Sequence, residues 1–128
     1  MKNKILIVDD ALFMRSMLRK ILTEMGVSVI LEAEDGERAC QICREEKPDL
    51  VLLDITMPKL NGIETLKLIK SENPDIHVIM CSAMGQESII IDALHNGADD
   101  FIVKPFKKES IQEIVLKAEA QPEGEESV

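Results

Sequence analysis

The stretch Leu50–Pro58 reads LVLLDITMP, an apolar run that ends in Asp54 and passes into a turn. A carboxylate at the end of a buried strand is costly unless a cation or hydrogen bonds compensate it. Two other apolar runs also end in charged residues: residues 5–8 before Asp9-Asp10, and residues 101–103 before Lys104-Pro105. Strands that deliver charge at their carboxyl ends predict a binding site, and this mixture of charges suits a phosphoryl group.

Strand-like and helix-like segments alternate along the whole chain. Strands are predicted at about 4–9, 28–33, 49–53, 76–81 and 99–103, each followed by a helix. The first helix is the clearest, because its apolar residues recur at helical spacing from Met14 to Met25, with Arg15 and Arg19 on the opposite face. Gly26 is a typical helix end. The other helices are predicted from Gly36 to before Pro48, from Gly62 to Glu72, from Glu87 to Asn96, and around Ile111–Ala118.

Five strands alternating with five helices predict an α/β fold with one parallel sheet. Parallel strands need crossover connections, and the helices that form them cover both faces of the sheet. The strands agree with this arrangement, since residues 5–8 and 50–53 are apolar throughout. Ligands bind beyond the carboxyl ends of the strands in open parallel sheets. The charged residues are therefore expected to meet at one edge of the sheet.

Composition limits the classes of function. A chain of 128 residues with 45% apolar residues is sufficient for one folded domain. The net charge of −9 argues against nucleic acid as a partner. No apolar run reaches 18 residues and no signal-peptide core follows Met1, so we expect a cytoplasmic protein that contacts no membrane. We expect the domain to span residues 1–118 and the acidic segment 119–128 to be disordered.

Three cysteines in such a chain predict a reducing compartment. Cys40 and Cys43 have the C-x-x-C spacing, but they lie within a predicted helix, on the same face as Ala39. Free cysteine is among the most buried residue types, which favours core packing over redox chemistry or zinc binding.

The charged residues at the strand ends have the chemistry of phosphoryl transfer. Asp9, Asp10 and Asp54 would repel one another unless a cation neutralises them, and Mg2+ prefers such oxygen ligands. Lys104 can pair with a phosphate or with Asp54. Past the fourth strand, Ser82 offers a hydroxyl and Ala83 an amide donor. Taken singly, an Asp pair can simply cap a helix, and a Lys-Pro step is usually a turn.

Four blocks together resemble the receiver domain of two-component response regulators over residues 3–118: ILIVDD at 5–10, LLDITMPKLNG at 52–62, Ser82-Ala83, and Lys104-Pro105-Phe106. The resemblance implies a flavodoxin-like (βα)5 sheet with strand order 2-1-3-4-5. It also implies Asp54 as phosphoacceptor, and Mg2+ bound by Asp10, Asp54 and the Thr56 carbonyl with help from Asp9. By the same resemblance, Ser82 and Lys104 contact the phosphoryl group, and the Lys104-Pro105 bond is cis.

The sequences at residues 13–18, 81–86 and 100–106 resemble the chemotaxis branch of the family. That branch implies a CheA-like histidine kinase, a FliM-like flagellar motor switch protein or another output protein, and a phosphatase as partners of a monomer. It also implies a switch in which Ser82 moves and Phe101 turns inward, although Phe101 as static core stays open.

The fourth helix, fifth strand and fifth helix are candidates for the partner face. Ile89, Ile90 and Ile91 are consecutive, so at least one should face outward, and Ile90 is the best candidate together with Phe101. A scattered exposed isoleucine would be equally ordinary.

Three functions remain open. The first is a stand-alone receiver that switches its affinity for a flagellar output, and the second is a phosphorelay intermediate that passes its phosphoryl group to a histidine phosphotransfer protein. Neither is a conventional enzyme, although each catalyses its own phosphorylation and dephosphorylation. The third, a small phosphohydrolase, would need a second carboxylate two residues after Asp54, where the chain has Thr56.

Overall fold

A computed structural model describes residues 4–55 and 61–119 of the chain. These residues form five strands and five helices in alternation. The elements in chain order are β1 (Lys4–Val8), α1 (Leu12–Glu24), β2 (Val29–Ala33), α2 (Gly36–Glu46), β3 (Leu50–Asp54), α3 (Gly62–Glu72), β4 (His77–Ser82), α4 (Glu87–His95), β5 (Asp100–Val103) and α5 (Lys108–Glu119).

The strands form one parallel sheet in the order β2-β1-β3-β4-β5. This confirms the predicted α/β fold and strand order. Strand order reverses between β1 and β3, which lie side by side although α1, β2 and α2 separate them in the chain. Val8 pairs with Leu53, so Asp9 and Asp54, one residue further along each strand, reach the same edge of the sheet.

Two apolar cores lie on opposite faces of the sheet. Successive residues of a strand point to opposite faces, and the central strands supply both cores in turn: Leu6 and Val8 belong to one core, and Ile5 and Ile7 to the other. Helices α2, α3 and α4 cover the first core, while α1 and α5 cover the second. Every residue of β3 is buried, including Asp54. Burial on both faces explains why the strands are apolar without alternation.

Local sequence signals explain where the helices begin and end. The side chains of Asp35 and Asn61 accept hydrogen bonds from the amides of Arg38 and Glu64, three residues further on, at 2.8 and 2.9 Å. Such caps satisfy amides that have no partner within the helix. Gly26 follows α1 with φ of +86°, a conformation that glycine adopts without strain. The predicted helix limits are confirmed to within about two residues, except that α5 begins at Lys108, three residues before the predicted start.

The remaining structural predictions have mixed outcomes. Cys40 and Cys43 are buried in the first core, which confirms the predicted packing, and burial raises the pKa of the Cys43 thiol to about 12. Across the described ranges, no helix is long and apolar enough to span a bilayer. Glu119, predicted to begin the acidic tail, is the last residue of α5. The rest of the predicted tail lies outside the described residues.

Candidate functional site

Three carboxylates converge at the carboxyl edge of the sheet. Asp54 is the last residue of β3, and Asp9 and Asp10 follow β1 directly. One oxygen from each of the three side chains can be chosen so that all three lie within 4.8 Å of one another. Asp9 and Asp54 are buried, whereas Asp10 is exposed. The predicted acidic cluster is therefore formed, with one open side that faces solvent.

Lys104 reaches into this cluster from the end of β5. Its Nζ lies 3.1 Å from Asp9 Oδ2 and 3.3 Å from Asp54 Oδ1. The Lys104 amide donates to the Ser82 carbonyl at 2.7 Å, which anchors the residue beside β4, and the Lys104-Pro105 bond is cis as predicted. Burial alone would lower the pKa of Lys104, but the charges of Asp54 and Asp9 together outweigh it, so the pKa is raised. The amine is therefore a permanent cation between two acids.

Both carboxylate oxygens of Asp9 accept hydrogen bonds, which fix the orientation of the side chain. Oδ1 accepts the Ala11 amide at 2.9 Å and Oδ2 accepts Lys104 at 3.1 Å. The Asp9 amide donates to the Ala33 carbonyl of β2 at 3.1 Å. With both oxygens engaged, Asp9 is suited to orienting its neighbours, and Asp10 presents the more accessible carboxylate.

Sequence reasoning missed a support behind Asp9. Arg15, assigned to the polar face of α1, donates through Nη1 to the Asp9 carbonyl at 2.7 Å. Its Nε also pairs with Glu32 of β2 at 2.9 Å, and Arg19 pairs with the other oxygen of Glu32. Burial would raise the pKa of Glu32, but the two arginines outweigh it and lower the pKa. The only sequence signal was an acidic residue within an otherwise apolar strand.

Ser82 and Ala83 form the β4 side of the site. Ser82 is fully buried, and among the described residues no hydrogen-bond partner reaches its Oγ. Buried hydroxyls without partners are uncommon, because each costs the free energy of its lost hydration. The next residue, Ala83, donates its amide to Gln86 Oε1 at 2.6 Å. Both donors predicted for the phosphoryl group are therefore present, one without a partner and one engaged.

The start of α3 packs against the backbone at the end of β3, which carries Asp54. Gly62 donates its amide to the Ile55 carbonyl at 2.9 Å. A β-carbon at Gly62 would lie 2.5 Å from the Asp54 carbonyl oxygen and 2.5 Å from Ile55 Cα. Glycine thus permits α3 to press directly against the backbone that carries Asp54. Thr56, whose carbonyl was predicted to bind metal, lies outside the described residues.

The predicted partner face requires one correction. Ile90 is only 7% exposed and belongs to the first core, so the prediction that it faces outward is wrong, although its side chain still lines the groove described next. Ile91, one helical step of 100° further round, is 56% exposed. Ile91 lines an apolar groove of about 430 Å3 between α4 and β5, together with Leu94, Phe101 and Val103. Phe101 is 38% exposed, so it is not static core in this structure.

A family comparison identifies the type of domain. A model of the response regulator receiver domain matches residues 5–116, which include every described residue of the site. The chain belongs to this family. The receiver is 51% identical over 117 residues to the chemotaxis protein CheY of Bacillus subtilis, covering 91% of this chain and 98% of that protein.

Two further relatives agree with this assignment. The chemotaxis protein CheY of Thermotoga maritima is 48% identical to this receiver over 117 residues, with 91% of this chain and 98% of that protein covered. Among solved structures, the response regulator domain of Thermotoga maritima CheB matches with a TM-score of 0.82 at 40% identity, covering 94% of this chain and 96% of that one. The chain is therefore a CheY-like response regulator.

Proposed function

We propose that a histidine kinase phosphorylates this receiver on Asp54 in the presence of Mg2+, and that the modification changes its affinity for an output protein. One observation carries the proposal: the Lys104 amine bridges Asp9 and Asp54 within the acidic cluster. A buried nucleophilic carboxylate beside a fixed cation is the arrangement that a phosphoryl acceptor requires.

The transfer itself needs little covalent chemistry from the protein. An Asp54 oxygen attacks the phosphorus of a phosphohistidine, and the new P–O bond forms as the P–N bond breaks. The electron pair of the broken bond returns to the imidazole of the kinase. Lys104 stabilises negative charge on the phosphoryl oxygens, and the Ser82 hydroxyl and Ala83 amide supply donors to them. Hydrolysis resets the protein: water attacks the same phosphorus, the P–O bond to Asp54 breaks, and inorganic phosphate leaves as the carboxylate is restored.

The donor set fits a hard divalent cation. Asp10 and Asp54 would hold Mg2+, with Asp9 assisting and the Thr56 carbonyl proposed as a further ligand. Because Asp9 already accepts two hydrogen bonds, a supporting role suits it better than direct ligation. When bound, Mg2+ supplies positive charge that offsets the repulsion among the carboxylates and the incoming phosphoryl oxygens.

The CheY relatives support a chemotaxis output. We propose a cytoplasmic monomer that receives its phosphoryl group from a CheA-like kinase, controls a FliM-like flagellar motor switch protein, and is reset by its own hydrolysis or by a phosphatase. Ser82 and Phe101 would form the switch, since the Ser82 hydroxyl has no hydrogen-bond partner within the described part of the chain and Phe101 is only partly buried. If the activated protein bound no motor-switch component but phosphorylated a histidine phosphotransfer protein, the phosphorelay reading would replace this output.

The central experiment is incubation with acetyl phosphate, with and without Mg2+, followed by intact mass measurement. Wild-type protein should gain one phosphoryl group only when Mg2+ is present, and Asp54→Asn should gain none. Asp75→Asn, on an exposed loop before β4, provides a matched control that should be labelled like wild type. Persistent labelling of Asp54→Asn would contradict the assignment of the acceptor.

A further inference from the structure

The side chain of the residue before α4 accepts a hydrogen bond from an amide that precedes the helix, whereas the residues before α2 and α3 accept from amides within their helices. Asp35 and Asn61 each precede a helix, and their side chains accept amides from within that helix. Gln86 precedes α4, yet its side chain makes no bond of this kind to the helix. Its Oε1 turns back and accepts the amide of Ala83 at 2.6 Å. The first turn of α4 thus gives up a side-chain cap, and the amide beside Ser82 gains a partner.

The Ala83 amide is also the donor that a phosphoryl group on Asp54 would use. A backbone N–H donates one strong hydrogen bond, so an oxygen of the phosphoryl group and the Gln86 carbonyl cannot both receive it in good geometry. We propose that Gln86 is an internal competitor for the phosphoryl-binding amide, and that it stabilises the unphosphorylated state. This inference rests on the proposed function, because it assumes that Asp54 is the acceptor.

The charge of the two acceptors determines the direction of the exchange. The Gln86 carbonyl is neutral, whereas a phosphoryl oxygen is anionic and forms a stronger, charge-assisted hydrogen bond. Phosphorylation therefore displaces Gln86, but only at the cost of one hydrogen bond that the unmodified protein makes. The Ala83–Gln86 bond lies at the surface, where water competes for both groups, so the cost is modest.

The displaced side chain would carry the signal toward the predicted partner face. Ala83 and Gln86 both line the apolar groove that Ile91 and Phe101 also line. Release of Gln86 changes the wall of this groove nearest the phosphorylation site. Gln86 is thus a positioning residue that connects the two regions, and it does not touch the reacting atoms.

Beryllofluoride, a mimic of the phosphoryl group on aspartate, tests the competition at equilibrium. The chain has no Trp or Tyr, so titration in saturating Mg2+ is best followed by 1H–15N NMR, which also resolves the Ala83 amide. Gln86→Leu and Gln86→Ala should both bind beryllofluoride about two- to tenfold more tightly than wild type, the range that loss of one competing hydrogen bond implies. Without beryllofluoride, the Ala83 amide proton should move upfield in both variants.

The controls separate this inference from the proposed function. Gln41→Leu makes the same substitution on α2, where the Gln41 side chain donates to its exposed neighbour Glu45, and it should leave the affinity unchanged. If wild type binds no beryllofluoride at Asp54, the proposed function fails. If wild type binds it but the Gln86 variants bind equally or more weakly, the competition is absent. A purely structural role would lower the unfolding free energy of the free and bound states alike and leave affinity unchanged, which would also overturn the inference.

Discussion

At the scale of single residues, the buried charge of Asp54 is tolerated because neighbouring side chains compensate it. Lys104 supplies a nearby cation, and Asp9 holds that cation with its second oxygen. Asp10 adds negative charge at the solvent side, and among residues 4–55 and 61–119 no cation pairs with its carboxylate. The cluster is therefore arranged for binding at some expense to the stability of the unliganded protein.

Asp10→Asn should stabilise the protein when no divalent cation is present. Removing one of three neighbouring charges relieves repulsion of about 1 kcal/mol for an exposed carboxylate, after allowance for screening by solvent. The same substitution should abolish the stabilisation that Mg2+ gives to wild type, since that increase requires binding to the native state. Urea unfolding in EDTA and in excess Mg2+ measures both effects.

Asp92→Asn, on the exposed surface of α4, is a suitable control because it removes one charge away from the cluster. It should keep the response to Mg2+. The electrostatic account would be wrong if Asp10→Asn were less stable than wild type in EDTA.

At the scale of the elements, much of the fold could be predicted because the signals are local. Apolar runs predicted the strands, and helix breakers such as Gly26 and Pro48 predicted where helices end. The residues at the strand ends could be predicted to meet because parallel topology brings those ends to one edge. Arg15–Glu32 and Ala83–Gln86 could not, because each depends on where a long side chain reaches in the folded molecule.

The rotation of α4 about its own axis is another feature that the sequence could not predict. Ile89, Ile90 and Ile91 are equally apolar, so the sequence alone does not tell which one faces the sheet. The structure buries Ile90 with Ala93, and leaves Ile91 and Leu94 outside. The small side chain of Ala93, three residues after Ile90, was the available signal for a close approach to the sheet.

Gly62→Ala should damage the site although it replaces no functional group. Its β-carbon would overlap the backbone of Asp54 and Ile55, so either α3 or the end of β3 must shift. Overpacking of this kind costs about 1–3 kcal/mol, against the small gain that alanine normally gives in a helix. Urea unfolding measures the loss, and phosphorylation by acetyl phosphate should slow as the Asp54 backbone moves.

Gly85→Ala separates the steric effect from backbone strain. Gly85 has a positive φ of +87°, but a β-carbon there would meet nothing within 4 Å. It should lose stability through strain without moving Asp54. The account of Gly62 would fail if Gly62→Ala were as stable as wild type and fully active.

At the scale of the whole molecule, one short segment connects the acidic site with the apolar groove. Residues 83–86 connect Ser82, at the end of β4, with the first turn of α4, and they line the groove. A change at the proposed phosphoryl site would therefore reach a partly exposed apolar surface without passing through either core. Exposed apolar patches of this kind on a folded domain commonly mark interaction sites.

Ile90 and Ile91 should differ sharply when each is replaced by alanine. Ile90→Ala should lower the free energy of unfolding by about 2–5 kcal/mol, because removing the buried side chain leaves a cavity in the first core. Ile91→Ala should change stability by less than about 0.5 kcal/mol, because Ile91 is mostly exposed. Instead, it should weaken binding of the beryllofluoride-activated protein to the proposed motor-switch partner, measured by calorimetry, since it removes apolar area from the groove.

Leu68→Ala is the matched control for the binding measurement, because Leu68 is 40% exposed but lies on α3, away from the groove. Loss of partner affinity with Ile91→Ala alone would locate the partner face between α4 and β5. Equal affinity for Ile91→Ala and wild type, or equal losses for Ile91→Ala and Leu68→Ala, would instead separate the groove from the output. The phosphorylation site could then still be active, because the groove residues contribute no charge to the acidic cluster.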